Sequence, residues 1–233
     1  MIHLTLTIEP TYQVNIHCPL CELSFSSTKV RSSHIRVTTR DADFCTHFVD
    51  ETINPHLYYV SVCHYCGYAS SRHFSTTFHE KAVQIIYQSI STQWKGKNYS
   101  GVRTTTEAIE TYKLAIYCGI IKKEKQYALA GLYMRLAWLY RKGQDEQNEH
   151  RFLSLALQAY QSSYTNCDFE HSTMSEPLIL YMIGELHLRL ENIPDAIRTF
   201  SKVVSHPSKK MEPMIVEKAR DQWQFVRQQQ KKQ

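Results

Sequence analysis

The sequence predicts an α+β fold that is mostly α. A small cysteine-bearing β module spans residues 1–75, and a domain of helical hairpins with a C-terminal capping helix spans 76–233. Three observations carry this reading. Five of the seven Cys precede residue 75. Alternating apolar runs are confined to that same stretch, after which the apolar period lengthens to that of a helix. Gly and Pro number only seven each in 233 residues, which argues against a Gly-rich cofactor loop or a turn-rich sandwich. With 42% hydrophobic and 21% charged residues, the chain can build an ordinary core, and wholesale disorder is excluded.

In the first 75 residues, Ile2, Leu4, Leu6 and Ile8 alternate with polar residues, the period of a half-buried strand. Tyr12–Ile16 and Leu57–Val62 are rich in β-branched and aromatic residues and read as strands, each running into a Cys-x-x-Cys. Asn54-Pro55 is a turn signal before the second of them.

Beyond residue 75, six apolar sets follow the i, i+3, i+4, i+7 rule of an amphipathic helix. They begin with Ala82, Ile85, Ile86 and Ile90, and continue with Ala108, Ile109, Tyr112, Ala115 and Ile116. The third and fourth are centred on Leu132 to Leu139 and on Phe152 to Tyr160, the last two on Ile179 to Leu190 and Ile193 to Val203. A final helix is expected from Pro213, a good first-turn residue, through Ile215, Ala219, Trp223 and Val226, fraying from Gln228.

These helices read as repeated pairs. Ala108, Tyr112 and Ala115 share their spacing with Ala156, Tyr160 and Ser163 and with Ala196, Phe200 and Val203. Ala137 and Tyr140 echo Gly184 and His187. The pattern resembles degenerate tetratricopeptide (TPR) hairpins: three of them over about 79–228, plus the capping helix. His187 departs from the usual Tyr, Lys142–Glu149 is a polar insertion, and Trp94–Tyr99 resembles a repeat start that Ser100-Gly101 turns into a loop. The small residues could serve only to let helices approach. Stacked hairpins, however, expose a groove that typically takes a peptide or partner helix.

Cys18-Pro19-Leu20-Cys21 and Cys63-His64-Tyr65-Cys66-Gly67 are two Cys-x-x-Cys turns. Together Cys18, Cys21, Cys63 and Cys66 supply the tetrahedral S₄ shell that suits one structural Zn²⁺. Gly67 lacks a Cβ where the turn's backbone faces the sulfurs. The stretch between the pairs exceeds the roughly 15–20 residues of an ordinary ribbon, at a closure cost on the order of 1 kcal/mol. A thioredoxin-type disulfide would need one pair at a helix start, whereas both pairs here follow strands. A catalytic zinc would keep a position open, and four thiolates leave none. His17 and His64 adjoin the cysteines and read as neighbours rather than ligands. Cys45 reads as buried, and Cys118 and Cys167 as packing residues. Asp41 and Asp43 read as a turn or capping pair with Arg40 or Arg36 nearby; the sharper alternative is a second metal site or an acid and base.

In order, Cys18-Pro19-x-Cys21, Arg40-Asp41-x-Asp43-Phe44, Asn54-Pro55-x-x-Tyr58 and Val62-Cys63-x-x-Cys66-Gly67-Tyr68-Ala69 precede the helical region. The whole resembles a bacterial family of unknown function, common in spore-forming Gram-positive bacteria, with a zinc-ribbon-like front and a TPR-like tail. The resemblance covers nearly the full chain. His64 stands where the family more usually has Pro, which leaves the ligands untouched. The resemblance implies a metal site and a bacterial cytosolic location, and no activity.

No secretory signal, membrane-length apolar run, phosphate loop or hydrolase motif is present, so a reducing cytoplasm without membrane attachment is expected. The net charge is +5. Residues 1–75 hold five Lys+Arg and six Asp+Glu, and the remainder 22 and 16, so the metal module is acidic and the helical part basic. Such placement disfavours nucleic acid, whose phosphates supply most of the affinity. The leading expectation is a zinc-binding cytosolic scaffold or regulatory protein whose groove binds a protein partner. The alternatives are a nucleic-acid-binding zinc-ribbon regulator stacking bases on Tyr58, Tyr59, Tyr65 and Tyr68, and a thiol or carboxylate enzyme or redox sensor using Cys45, Asp41 and Asp43.

Overall fold

A computed structural model describes residues 8–170 and 172–230. The alternating run from Ile2 to Leu6 and the tail residues Lys231–Gln233 lie outside the described residues; the last helix continues to Gln230. The fold is α+β and mostly α, as the sequence predicts. The chain forms two compact units: the described residues up to Thr39 with Thr46–Lys122, and Arg40–Cys45 with the residues from Lys123 onward. The first of these units includes the first two helices, of which the second packs on the cysteine module.

In the first unit, β1 (Thr11–His17) and β2 (Ser24–Val30) form an antiparallel hairpin in register from Thr11 opposite Val30 to His17 opposite Ser24. β3 (Val37–Arg40) pairs with β4 (Thr46–Phe48), and β5 (Ser61–Val62) with β6 (Ala69–Ser70). The expected strand Leu57–Val62 is mostly not a strand. Asn54 Oδ1 accepts a hydrogen bond from the His56 N–H at 2.8 Å and Pro55 occupies the first turn, so Pro55–Tyr58 is a 3₁₀ helix. Leu57, Tyr58 and Val60 are all buried, so the run does not present alternate faces and only Ser61–Val62 is extended.

α1 (Glu80–Ser89) starts at His79, whose Nδ1 accepts from the Ala82 N–H, and buries Ala82 and Ile86. Ile85, expected on the same face, is exposed. α2 (Thr105–Lys122) begins with a capping box: Glu107 Oε2 accepts from the Thr104 N–H at 2.9 Å, and Thr104 Oγ1 from the Glu107 N–H at 3.2 Å. Just before it, Arg103 is buried and donates to the carbonyls of Tyr99 (2.8 Å), Val60 (2.8 Å) and Leu57 (3.2 Å). Tyr112 on α2 donates to the His56 carbonyl at 2.8 Å. Buried carbonyls outside regular structure need such donors, so these two side chains fix the approach to Cys63.

The second unit carries α3 (Gln126–Lys142), α4 (Glu146–Asn166), α5 (Glu176–Arg189), α6 (Ile193–Ser205) and α7 (Pro213–Gln230), each packed on the next. The polar insertion after Lys142 is only a tight turn. Gln144 takes a left-handed conformation, and Asp145 caps α4 by accepting from the Asn148 N–H at 3.0 Å. Ser175 caps α5 in the same way, and Pro177, Pro194 and Pro213 sit in the first turns of α5, α6 and α7. Tyr140 stacks on Phe152, ring centroids 5.5 Å apart, to join α3 to α4. Gly184 joins α5 to α6: a Cβ there would lie 2.7 Å from the Phe200 ring, so the small residue has a packing reason. No described helix is long and apolar enough to cross a membrane.

Candidate metal centre

β1 delivers Cys18 and β5 delivers Cys63 into two turns with the same hydrogen bonds. The Cys18 N–H donates to the Leu23 carbonyl at 2.9 Å, and the Glu22 N–H donates back to the Cys18 carbonyl at 2.9 Å. In the second turn the Cys63 N–H donates to the Tyr68 carbonyl at 2.9 Å, and the Gly67 N–H to the Cys63 carbonyl at 2.8 Å. The fifth residue of each turn is left-handed: Glu22 with φ 61° and Gly67 with φ 76°.

The turns bring Cys18, Cys21, Cys63 and Cys66 together, with all four sulfurs within 4.8 Å of one another. Cys18 Sγ lies 3.7 Å from Cys66 Sγ, and Cys21 Sγ lies 3.7 Å from Cys63 Sγ. A regular tetrahedron of thiolates about 2.3 Å from a central ion has edges of ~3.8 Å, so the sulfurs already stand at coordinating distances. Three of the four are buried and Cys21 is half-buried. The hydrogen bond from Cys66 holds the Cys18 thiol down to about 5, and the same bond pushes Cys66 up. The group could hold a metal ion. It contains no histidine among the described residues: His17 is exposed, and His64 lies against Tyr65 with ring centroids 3.9 Å apart.

The sequence reading missed what holds the second turn. Trp94 Nε1 donates to the His64 carbonyl at 2.8 Å, and Ser91 Oγ to the Cys66 carbonyl at 2.8 Å. A Cβ on Gly67 would meet the Trp94 ring at 2.7 Å and Ile90 at 2.8 Å. The segment Ser91–Trp94 is thus a brace over the knuckle rather than the start of a repeat. Its signal was a lone Trp before a polar loop, with no metal-ligand residue to mark it.

A family model described as an uncharacterized protein conserved in bacteria, DUF2225, matches residues 11–226. The chain belongs to this family. No curated protein and no solved structure matches it. The DUF2225 match spans both the cysteine turns and the helical unit, in line with the motif order that suggested a bacterial family.

In the second unit, the remaining sequence candidates form a different site. Asp43 is fully buried. Its Oδ2 accepts from Arg141 Nη2 at 2.8 Å and from Trp138 Nε1 at 3.2 Å, and lies 2.9 Å from Arg189 Nε. Its Oδ1 accepts from the Cys45 N–H at 3.2 Å. Arg141 also pairs with Asp41 at 2.9 Å and with Glu149 at 2.6 Å. Burial alone would raise the Asp43 carboxyl, but the Arg141 hydrogen bond and the charges of Arg189 and Arg141 hold it below the usual range. The partners are thus Arg141 and Arg189, far along the chain on α3 and α5, and not the Arg40 or Arg36 expected from proximity in sequence. Cys45 is buried, as expected, and burial pushes its thiol up to about 12, so it is no thiolate nucleophile near neutral pH. Cys118 is buried in α2. Cys167 is not a packing residue: it is exposed at the left-handed C-terminus of α4. Tyr58 and Tyr68 are buried and cannot stack on bases, whereas Tyr65 is exposed.

Opposite outcomes are expected at the two left-handed turn positions. Gly67→Ala should cost about 2–4 kcal/mol, combining strain with overpacking, while Glu22→Gly should be neutral or stabilise by about 0.5 kcal/mol. Urea unfolding of the full chain checks both. Asp43 has a depressed folded pKa, so its contribution is complete above the unfolded value near 3.9 and is lost as pH falls through the folded value. Asp43→Asn should cost roughly 3–5 kcal/mol at neutral pH and should flatten the acid limb of a stability–pH curve. An unchanged acid limb would show that another group governs it.

Proposed function

We propose that the chain is a zinc-stabilised cytoplasmic interaction protein of scaffold or regulatory type. A structural Zn²⁺ on Cys18, Cys21, Cys63 and Cys66 holds a zinc-ribbon-like front, and the TPR-like helical unit binds a turn-forming acidic segment of a partner protein. An all-thiolate, closed, tetrahedral donor set supports zinc in a structural role. The observation that carries the interaction reading is that the helical unit already holds such a segment of its own chain. Arg40–Cys45 lies on alternate helices. Asp43 is held by α3 and α5 through Arg141 and Arg189. The Ala42 carbonyl accepts from Tyr181 on α5 at 2.8 Å. Phe44 packs on Tyr181 with ring centroids 5.6 Å apart, and Lys218 of α7 lies 5.7 Å from the centre of the Phe44 ring. One carboxylate on two guanidiniums, one carbonyl hydrogen bond and one aromatic contact make up a peptide-recognition set. A partner segment of the same chemistry, an aspartate followed by an aromatic residue, would compete for it.

Metal analysis of the purified chain should find about one zinc per chain, lost in Cys18→Ser and Cys66→Ser; iron in its place, or a folded metal-free wild type, would refute the zinc assignment. For the interaction, a labelled peptide covering residues 36–49 is titrated into the full chain. Asp43→Ala chain, whose own segment has lost its anchor, should bind the peptide about tenfold tighter or more than wild type does. Adding Arg189→Gln should remove that binding. Equal binding by all three proteins, or none, would sink the reading.

A further inference from the structure

The first unit also holds a cavity, lined by residues other than the cysteines. It has a volume of about 330 Å³ and is lined by Tyr12 and Lys29 of the β1–β2 hairpin, by Pro55, Tyr58 and Tyr59, and by Arg72. That volume is at the lower end of the roughly 300–1,000 Å³ typical of small-ligand sites. Its charge is one-sided. Lys29, Arg72 and the buried Arg103 have no carboxylate within ion-pair distance among the described residues. Lys29 donates to the Tyr58 carbonyl at 3.3 Å, and the Arg103 guanidinium donates to carbonyls. Burial, and then the charges of Arg103 and Arg72, lower the Lys29 pKa. Buried and half-buried cations are ordinarily paired. Half-buried Lys29 and exposed Arg72 line the open cavity with no carboxylate in ion-pair reach, which leaves room for an anion from solution.

The walls add a second requirement. Tyr59 is set by stacking on the buried Tyr112, with ring centroids 6.2 Å apart and planes 5° from parallel. Tyr12 is 39% exposed and carries Arg31 over its ring at 5.0 Å. Two phenol rings at the mouth of a cationic cavity favour a flat, π-bearing ligand over a bare inorganic ion. We propose that this cavity binds a phosphomonoester carrying a planar ring, a nucleoside monophosphate in class, with the phosphate on Lys29 and Arg72 and the ring against Tyr12 and Tyr59. The site is independent of the interaction reading above. It is also not the base-stacking surface expected from the sequence, because Tyr58 and Tyr68 are buried and the exposed Tyr65 does not line the cavity.

The test is calorimetric titration of the zinc-loaded full chain at low salt with adenosine 5′-monophosphate, inorganic phosphate and adenosine. The monophosphate should bind and should weaken as salt rises. Either half alone should bind at least about tenfold more weakly. Arg72 is exposed, so Arg72→Gln keeps the fold; it should weaken the monophosphate about tenfold or more and leave adenosine unchanged. Tyr12→Ala should narrow the gap between the monophosphate and phosphate alone. No monophosphate binding, or wild-type affinity in both Arg72→Gln and Lys29→Met, would overturn the proposal. A 5′-phosphorylated trinucleotide separates the two sources of this chemistry: tighter binding than the mononucleotide assigns a nucleic-acid 5′ end, and equal or weaker binding assigns the free nucleotide.

Discussion

Four sulfurs within 4.8 Å of one another are the constraint around which the front of the chain is arranged. The strands there are too short to hold themselves: β5 and β6 have two residues each, and a two-stranded ribbon is marginal in water. A metal held by both turns would close the loop from Cys21 to Cys63 and fix β1 against β5, so ion binding and folding of this region become one event. The other devices of the unit support that geometry. Gly67 supplies a left-handed turn that packs under Trp94, Ser91 and Trp94 take up the free carbonyls of Cys66 and His64, and Arg103 takes up those of Leu57 and Val60. Each provides a donor where an irregular chain would otherwise bury an unpaired carbonyl.

The helical unit has its own constraint, of opposite chemistry. Asp43 is a fully buried carboxylate that is stable only because two guanidiniums and an indole N–H face it. Such a cluster is weak as a source of net stability, since desolvation cancels most of the attraction, but it is costly to break. Its value lies in register: only an acidic side chain at position 43 of the chain satisfies Arg141 and Arg189 together. Glu185, one helical turn before Arg189 on α5 and also buried, shows the cost of imperfect pairing. One of its oxygens has no hydrogen-bond partner, and burial pushes its carboxyl up to about 7.

The sequence made some of this legible and hid the rest for physical reasons. The cysteine turns were readable because a tetrahedral ion demands a local spacing, and the helices because burying one face imposes a period of 3.6 residues. Gly184 was flagged as a small residue and is one because Phe200 covers it. The Asp43 partners were not readable, because no local rule connects the Asp41-x-Asp43 pair to arginines on α3 and α5. The Trp94 brace was missed because it acts through backbone carbonyls, which carry no sequence signature. Leu57–Val62 was misread because a run buried on every side looks like a strand until its hydrogen bonds are known, and Asn54-Pro55 had already committed it to a 3₁₀ turn.

The charge arithmetic fails in a similar and instructive way. Counting by segment makes residues 1–75 slightly acidic, with five Lys+Arg against six Asp+Glu, which speaks against any anionic ligand there. Fields, however, are set by distance and not by segment, and in physiological salt they fade over about 8 Å. Glu22 and Asp50 are exposed, so water and salt screen them. Lys29 and Arg103 are partly or fully removed from solvent, and Arg103 enters the neighbourhood from beyond residue 75 altogether. A module can thus be acidic in sum and cationic at one cavity. The quantity that decides anion binding is the set of cations lacking a carboxylate within ion-pair reach, and for Lys29, Arg72 and Arg103 only the folded chain reveals that set.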